Sequence, residues 1–279
     1  MMKLFKPKVK APHPEYVIKM QNVLREHRLT TVCEAALCPN RAECYARGSA
    51  TFMILGSFCT RACSFCNVAT GAGQKVDKDE PQRLAHTISD LGLEYVVITS
   101  VDRDDLADYG TGHFAACVSA IKEKNQSIKI ELLTPDFRFH KPSLDTIIAS
   151  GVYKLAHNQE TVECLSKSVR PQSSYTRSLK VLEYYAKHSD VRVKSSLMLG
   201  LGEEESEIVK TMQDLLSVGV RELTLGQYLQ PTPKHHKVMR YYSEDFFTAL
   251  KDEAYLMGFE AVASGVLVRS SYFAEELGR

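Results

Sequence analysis

Hydrophobic and polar residues along this chain follow two periodicities, short apolar runs and longer stretches with helical spacing. One local pattern recurs four times: a helical stretch ends at Gly92, Gly151, Gly219 or Gly258, and an apolar run follows directly. Glycine just past a helix end adopts the left-handed conformation without a side-chain penalty. Short links from helix to strand are typical of α/β units. The pattern therefore predicts alternating strands and helices over most of the chain.

The apolar runs predict six strands, near residues 51–55, 94–99, 128–132, 153–156, 191–198 and 221–226. Helical spacing predicts six helices, near residues 80–91, 113–124, 143–150, 173–187, 204–218 and 243–257. Alternating strands and helices pair in parallel through right-handed crossovers. Six such units can form a partial (β/α)6 TIM-type barrel or a doubly wound sheet. In either fold the carboxyl ends of the strands form the functional edge.

The first fifty residues do not follow this alternation, although residues 17–28 have the pattern of a helix. We therefore expect three regions. Residues 1–50 form an N-terminal extension, residues 51–260 form the α/β body, and residues 261–279 form a short C-terminal segment.

Length and charge narrow the possible functions. The chain has 279 residues, of which 44% are hydrophobic, and this is enough to bury the core of one barrel-sized domain. Lys plus Arg is 35 and Asp plus Glu is 34, so charge gives no argument for nucleic acid or a membrane surface as partner. Residues 1–24 contain neither Arg nor Ser, unlike a transit peptide, and Lys3, Lys6, Lys8 and Lys10 read as a solvated tail. We expect a cytoplasmic protein.

Six of the eight cysteines lie within residues 33–66, in two blocks of three. In a reducing compartment such clustering favours metal binding over disulfides. Each block has one thiolate fewer than a closed four-ligand site, and an open coordination position is where metal chemistry takes place. Cys117 and Cys164 lie outside the blocks in helix-like stretches. Both are expected to be small, buried, apolar residues.

The second block, Cys59-x3-Cys63-x2-Cys66, follows the first predicted strand of the α/β body and therefore lies at the functional edge. Three thiolates in one loop can hold three irons of a 4Fe–4S cubane and leave the fourth iron open. This spacing, with Phe65 before the last cysteine, resembles the signature of the radical S-adenosylmethionine superfamily. The resemblance implies a partial or full parallel barrel, which decides between the two folds. It also implies that S-adenosylmethionine binds the open iron and is cleaved to a radical.

The first block, Cys33-x4-Cys38-x5-Cys44, narrows the resemblance, because most radical enzymes lack it. The two blocks together resemble the lipoyl synthase family. The similarity covers roughly residues 30–275. It is carried further by residues 51–56, 97–105, 133–137, 157–161, 169–171, 223–232 and 268–272.

This resemblance implies the insertion of two sulfur atoms at C6 and C8 of a protein-bound octanoyl chain, which gives the lipoyl cofactor. The first block would hold an auxiliary 4Fe–4S cluster with Ser270 as its fourth ligand, and this cluster would be the sulfur donor. A serine oxygen is a harder ligand than a thiolate, so its iron should be the most easily lost. The implied partners are an octanoylated lipoyl carrier domain (of a dehydrogenase E2 or a glycine-cleavage H protein), a low-potential electron donor and an iron–sulfur cluster carrier.

Polar residues expected at strand ends are candidates for binding S-adenosylmethionine. They are Ser100, Asn158, Glu160 and Lys194, of which Asn158 and Glu160 are favoured. The charge run 102–105 is expected to be a helix start with a solvated face. His235 and His236 have no ligand spacing and are expected in a loop.

Two alternatives remain open from the residues themselves. One is a divergent radical enzyme that inserts sulfur into another acyl carrier or another substrate. The other is a zinc-stabilised binding module without catalysis, although zinc would need a fourth ligand and no histidine lies between residues 28 and 85.

Overall fold

The computed structural model describes residues 14–47 and 49–277. The lysine-rich tail predicted at the N-terminus lies outside the described residues. The chain divides into two compact units. Of the described residues, the first unit contains 14–47, 49–61 and 68–155, and the second contains 62–67 and 156–277.

The first unit begins with short elements and continues as alternating strands and helices. In chain order these are α1 (Pro14–Glu26), β1 (Thr30–Thr31), α2 (Val32–Ala35), α3 (Arg41–Ala46), β2 (Thr51–Ile54), β3 (Phe58–Cys59), β4 (Ala69–Thr70), α4 (Glu80–Asp90), β5 (Tyr95–Ser100), α5 (Thr111–Lys124), β6 (Lys129–Leu133), a 3₁₀ turn (Phe137–Phe139), α6 (Lys141–Ala149) and β7 (Lys154–Ala156). Strands β2, β5 and β6 are parallel neighbours, and β1 runs antiparallel to β2.

The core of the first unit lies in register across its strands. Phe52 of β2 is in register with Ile98 of β5, and Ile98 is in register with Leu132 of β6. All three side chains are fully buried. Burying a side chain of this size stabilises a fold by about 1.5–3 kcal/mol. The row therefore fixes the carboxyl ends of the three strands side by side.

The second unit continues the alternation. Its elements are α7 (Glu163–Val169), α8 (Tyr175–His188), β8 (Arg192–Leu199), α9 (Glu205–Ser217), β9 (Glu222–Gln227), α10 (Glu244–Met257) and β10 (Ala261–Gly265). Strands β8, β9 and β10 are parallel neighbours in this order. Leu197 of β8 faces Leu225 of β9, and both are buried.

The predicted alternation is confirmed. Each of the six predicted strands and six predicted helices is present within a few residues of its expected bounds. The four glycines of the repeated pattern all have positive φ angles, of 63° at Gly92, 66° at Gly151, 94° at Gly219 and 112° at Gly258. The short helices α2, α3 and α7 were not predicted, because four to seven residues are too few for a periodic pattern. Within the described residues, no helix is both long and apolar enough to cross a membrane.

The two cysteines outside the blocks differ from each other. Cys117 is fully buried inside α5, as expected. Cys164 is exposed near the start of α7, so the expectation of burial is wrong for this residue. Because α7 has only seven residues, its helical spacing could not show which side faces solvent.

Candidate functional site

The loop that carries the second cysteine block begins with a sharp turn at the end of β2. Leu55 and Gly56 both have positive φ angles, of 69° and 94°. The φ angle of Gly56 would strain any other residue, and a Cβ atom there would also displace the side-chain oxygen of Gln74, which would lie 2.5 Å away. The Leu55 amide donates a hydrogen bond of 3.0 Å to the buried carboxylate of Glu80. The direction in which the loop leaves the strand is therefore fixed.

Cys59 is held by backbone donors in the first unit. The amides of Arg61 and Asp102 both donate to its Sγ atom, each at 3.4 Å. The neighbouring Thr60 amide donates to the Asp102 carbonyl at 3.0 Å. The beginning of the loop is thus attached to the segment that follows β5.

Arg61, between the first two cysteines of the block, is almost completely buried. Its guanidinium donates to both carboxylate oxygens of Asp104 at 2.8 Å and to Asp136 at 2.7 Å, and it lies 3.2 Å from Asp102. Burial works against the charged guanidinium, but the three carboxylates together hold its pKa above the ordinary value. The network keeps the arginine charged inside the protein.

The expectation of a helix start with a solvated face at residues 102–105 is wrong. No helix begins there, since α5 starts at Thr111. Asp102 and Asp104 turn towards the buried Arg61, and Arg103 is itself buried and paired with Asp105. A run of charges is normally solvated. Here Asp104 is turned inward by the buried Arg61, which lies 43 residues away in the sequence.

The second half of the loop, residues 62–67, belongs to the second unit. The Ser64 amide donates to the carbonyl of Val169 at 2.9 Å, and the His236 amide donates to the carbonyl of Ser64 at 2.8 Å. The His235 ring nitrogen Nε2 lies 3.1 Å from the carbonyl oxygen of Cys66. The two histidines lie in a loop, as predicted, but their role in fixing the cysteine loop was not predicted.

Phe65 anchors the same half of the loop by apolar packing. It lies against a buried cluster of Val169, Leu201 and Tyr228. The aromatic residue before the last cysteine therefore attaches the loop to the core of the second unit. Cys63 and Cys66 remain half-buried.

The first cysteine block spans the two short helices of the first unit, with Cys33 in α2, Cys44 in α3 and Cys38 in the turn between them. The Thr31 hydroxyl caps α2, accepting from the Glu34 amide, and the Cys38 amide donates to the Cys33 carbonyl at 3.0 Å. Cys33 is buried, and burial raises the pKa of its thiol to about 11. Cys38 and Cys44 are half-buried. Iron binds cysteine as a thiolate, so metal binding must overcome the burial of Cys33.

Ser270 lies in the segment after β10. A Cβ atom on Gly226, in β9, would lie 2.0 Å from the carbonyl oxygen of Val268, so the chain passes directly over this strand. Gly226 pairs in register with Gly265 of β10. Ser270 is half-buried and lies two residues beyond Val268 in the chain.

Asn158 and Glu160 come together after β7. Their side chains share a hydrogen bond of 3.0 Å, from Nδ2 to Oε1. The backbone of Glu160 pairs with β8 through the Ser196 carbonyl and the Met198 amide, each at 2.9 Å. Burial raises the pKa of Glu160, while Arg170 and Asn158 act in the opposite direction. A carboxyl group in this setting is suited to a cationic ligand group that would keep it ionised.

Buried polar atoms around this pair lack hydrogen-bond partners in the described structure. They are Asn158 Oδ1 itself, Gln159 Oε1 and Thr161 Oγ1. Leaving such an atom unsatisfied costs about 1–3 kcal/mol. Polar groups of a bound ligand would remove this cost. The two amide oxygens accept hydrogen bonds and the Thr161 hydroxyl can donate or accept, so these atoms fit a ligand with an amine and hydroxyl groups, as S-adenosylmethionine has.

Lys194 lies elsewhere than expected. Lys194 was predicted at the carboxyl end of its strand, but it is the third residue of β8, fully buried and in register with Glu222, the first residue of β9. The expected position is wrong because Lys194 lies near the start of this strand, and the predicted strand, 191–198, already continued past it. Arg170, which the sequence analysis did not single out, is buried and donates to the Gln159 carbonyl at 2.8 Å.

All eight cysteines lie in the described part of the chain, and all are thiols rather than disulfides. In the same described ranges, no three His, Cys, Asp or Glu side chains are placed to hold one metal ion. In a cubane, by contrast, each cysteine binds a different iron.

Comparison with known proteins gives the family. The model of the radical SAM superfamily matches residues 53–215, which include the second cysteine block.

Solved structures share the fold at low identity. Methylornithine synthase is 17% identical with a TM-score of 0.57, covering 72% of this chain and 61% of its own length. A FeFe-hydrogenase maturase from Carboxydothermus hydrogenoformans is 12% identical with a TM-score of 0.60, covering 89% of this chain and 65% of its own. The predicted α/β class, of the partial-barrel type found in this superfamily, is confirmed.

Curated relatives are much closer. The lipoyl synthase of Thiobacillus denitrificans (strain ATCC 25259 / T1) is 49% identical over 271 residues, covering 96% of this chain and 87% of the relative. The lipoyl synthase of Klebsiella pneumoniae (strain 342) is 51% identical over 271 residues, covering 96% and 84%. That of Stenotrophomonas maltophilia (strain R551-3) is 49% identical over 272 residues, covering 96% and 81%. The chain therefore belongs to the lipoyl synthase family of the radical S-adenosylmethionine superfamily.

Proposed function

We propose that the two cysteine blocks and Ser270 carry out the reaction of this family in this chain. The enzyme is a sulfurtransferase that inserts two sulfur atoms at C6 and C8 of a protein-bound octanoyl chain. Its cofactors are S-adenosylmethionine and two 4Fe–4S clusters. The main support is the pair of three-cysteine blocks in a chain about half identical to lipoyl synthases.

The ligand sets follow from the two blocks. Cys59, Cys63 and Cys66 hold the cluster that binds S-adenosylmethionine. When bound, this cluster and the cofactor supply the radical that removes hydrogen from an unactivated C–H bond. The protein positions the groups and excludes water, since acid–base catalysis cannot act on such a bond.

The auxiliary cluster is assigned to Cys33, Cys38 and Cys44, with Ser270 as fourth ligand. Burial raises the pKa of the Cys33 thiol to about 11, so cluster binding must displace a proton from this residue. The oxygen of Ser270 is a poor match for iron, which suits a cluster that gives up its sulfur.

Asn158 and Glu160 are proposed to bind the amino group of S-adenosylmethionine. Ser100 is proposed as a further contact because its hydroxyl is buried without a partner. Lys194 remains a candidate contact, but a weaker one, because it lies near the start of β8 and the cofactor is expected at the carboxyl ends of the strands.

The enzyme acts on octanoylated carrier proteins. We propose that the carrier is a lipoyl domain of a dehydrogenase E2 or a glycine-cleavage H protein, and that a low-potential electron donor and an iron–sulfur cluster carrier support the reaction. A cytoplasmic location is proposed because six cysteines must remain reduced to bind iron.

The test is an anaerobic assay with reductant, S-adenosylmethionine and each of the two octanoylated carriers. We expect a mass gain equal to two sulfur atoms on at least one carrier. The Cys164→Ala variant serves as a matched control, because this cysteine is exposed and outside both blocks, and it should retain full activity. Cleavage of S-adenosylmethionine without a mass gain on either carrier would favour a divergent enzyme with another substrate.

A further inference from the structure

We infer that Arg61 is a positioning residue that fixes the cysteine loop and sets the electrostatic environment of Cys59, and thereby the reduction potential of the cluster bound there. The inference rests on the proposed function, because it takes Cys59 as a cluster ligand. It assigns a role to a side chain that contacts neither cofactor nor substrate in the proposed mechanism.

The first argument is the way Arg61 ties the loop to the strands. Its Nε and Nη2 atoms bind Asp104 in a bidentate pair at 2.8 Å, and Nη2 also binds Asp136 at 2.7 Å. Asp104 follows β5 and Asp136 follows β6. One side chain from the cysteine loop is thus bound to the ends of two neighbouring strands. The planar guanidinium can make all of these contacts at once, whereas a lysine ammonium cannot reproduce the bidentate pair.

The second argument is charge. Three carboxylates surround Arg61, and Arg138 is bound to one of them, Asp104, at 2.6 Å. These five groups carry one net negative charge, and Arg61 is the cation in contact with all three carboxylates. The Asp102 carboxylate lies 3.7 Å from the Sγ atom of Cys59. Because cysteine binds iron as an anion, Arg61 offsets two anions that otherwise lie side by side.

The third argument is hydrogen bonding to the ligand sulfur. The amide of Arg61 is one of the two that donate to Cys59 Sγ at 3.4 Å. Hydrogen bonds to cluster sulfur atoms and nearby charge are among the factors that set the reduction potential of an iron–sulfur cluster. Anchoring the side chain keeps this amide in place, so geometry and charge act on the same sulfur.

The experiment compares Arg61→Gln, Arg61→Lys and the double variant Arg61→Gln/Asp104→Asn with the wild-type protein. Each full-length protein is loaded anaerobically, and the cluster that responds to S-adenosylmethionine is titrated by electron paramagnetic resonance. Iron content and thermal unfolding of the metal-free proteins are measured in parallel. Arg83→Gln is the control, because it removes a largely buried arginine bound to Asp77 and the His27 carbonyl in another part of the unit.

We expect Arg61→Gln to move the reduction potential to more negative values, because one cation is lost among three carboxylates. The double variant restores the net charge and should return the potential towards the wild-type value. Arg61→Lys should keep the potential close to wild type but retain less iron, since the bidentate anchor is lost. Arg83→Gln should leave the potential unchanged.

A wild-type potential in Arg61→Gln, with only the iron content lowered, would show a purely structural role and overturn the inference. If Arg61→Gln holds no cluster, the double variant decides. A double variant that retains the cluster at the wild-type potential supports the inference. A double variant that also loses the cluster overturns it. If the wild-type protein itself shows no cluster that responds to S-adenosylmethionine, the proposed function fails instead.

Discussion

Replacement of Glu160 by glutamine separates binding from stability at the proposed S-adenosylmethionine site. The change removes the charge but keeps the shape, so the backbone pairing of Glu160 with β8 should persist. A hydrogen bond to a charged group contributes about 1.5–3 kcal/mol. Loss of the charge should therefore weaken the binding of S-adenosylmethionine by about one to two powers of ten.

The same substitution should not destabilise the metal-free protein. Burial raises the pKa of Glu160 above its ordinary value, so the folded state favours the neutral carboxyl group. The contribution of this group to stability is complete below the ordinary pKa and is lost as pH rises through the raised pKa of the folded state. Glutamine is neutral throughout. The variant should therefore gain stability relative to the wild type as pH rises across this window.

Isothermal titration calorimetry on the anaerobic enzyme measures the binding, and thermal unfolding of the metal-free protein at acid and neutral pH measures the stability. Glu163→Gln is the matched control, because Glu163 is exposed three residues away and should affect neither quantity. Unchanged affinity in Glu160→Gln would refute the binding role. A variant less stable than the wild type at neutral pH would refute the argument from burial.

Further predictions concern the auxiliary cluster and the loop after β8. Cys38→Ala should cleave S-adenosylmethionine but transfer no sulfur, as measured by product chromatography and carrier mass; normal transfer would contradict the donor role of the first block. Ser270→Cys should retain the auxiliary cluster more firmly and slow sulfur transfer in single-turnover assays, while faster transfer would contradict the argument from ligand hardness. Glu203→Ala should lower the free energy of unfolding by about 3 kcal/mol or more in chemical denaturation, because the buried carboxylate accepts from the amides of residues 200–202 and from Tyr242. A loss below about 1 kcal/mol would show that water replaces these bonds.

The fold was largely predictable because its signals are local. Each apolar run and each glycine past a helix end lies within a few residues of the element it marks, and Gly258 precedes β10 as Gly92 precedes β5. The cysteine spacings are local too, so the sequence alone suggests the two ligand sets, which remain a prediction. Cys164 was misjudged because a seven-residue helix is too short to show a periodicity.

The supports of the site could not be predicted, because their partners are distant in sequence. Arg61 meets Asp104 and Asp136 across 43 and 75 residues, and His235 meets Cys66 across 169. Nothing near Arg61 distinguishes it from a surface arginine. Only the folded arrangement of the strand ends shows that its charge is buried and bound.

The most direct test of the two-cluster reaction uses enzyme whose clusters were assembled with a heavy sulfur isotope. After one anaerobic turnover with an octanoylated carrier, the intact mass of the carrier should show that both inserted sulfur atoms are labelled. The unreacted enzyme should contain about eight iron and about eight sulfide ions per chain. Unlabelled sulfur in the product, or an enzyme that holds only about four of each and still completes the insertion, would contradict the assignment of the first block as donor.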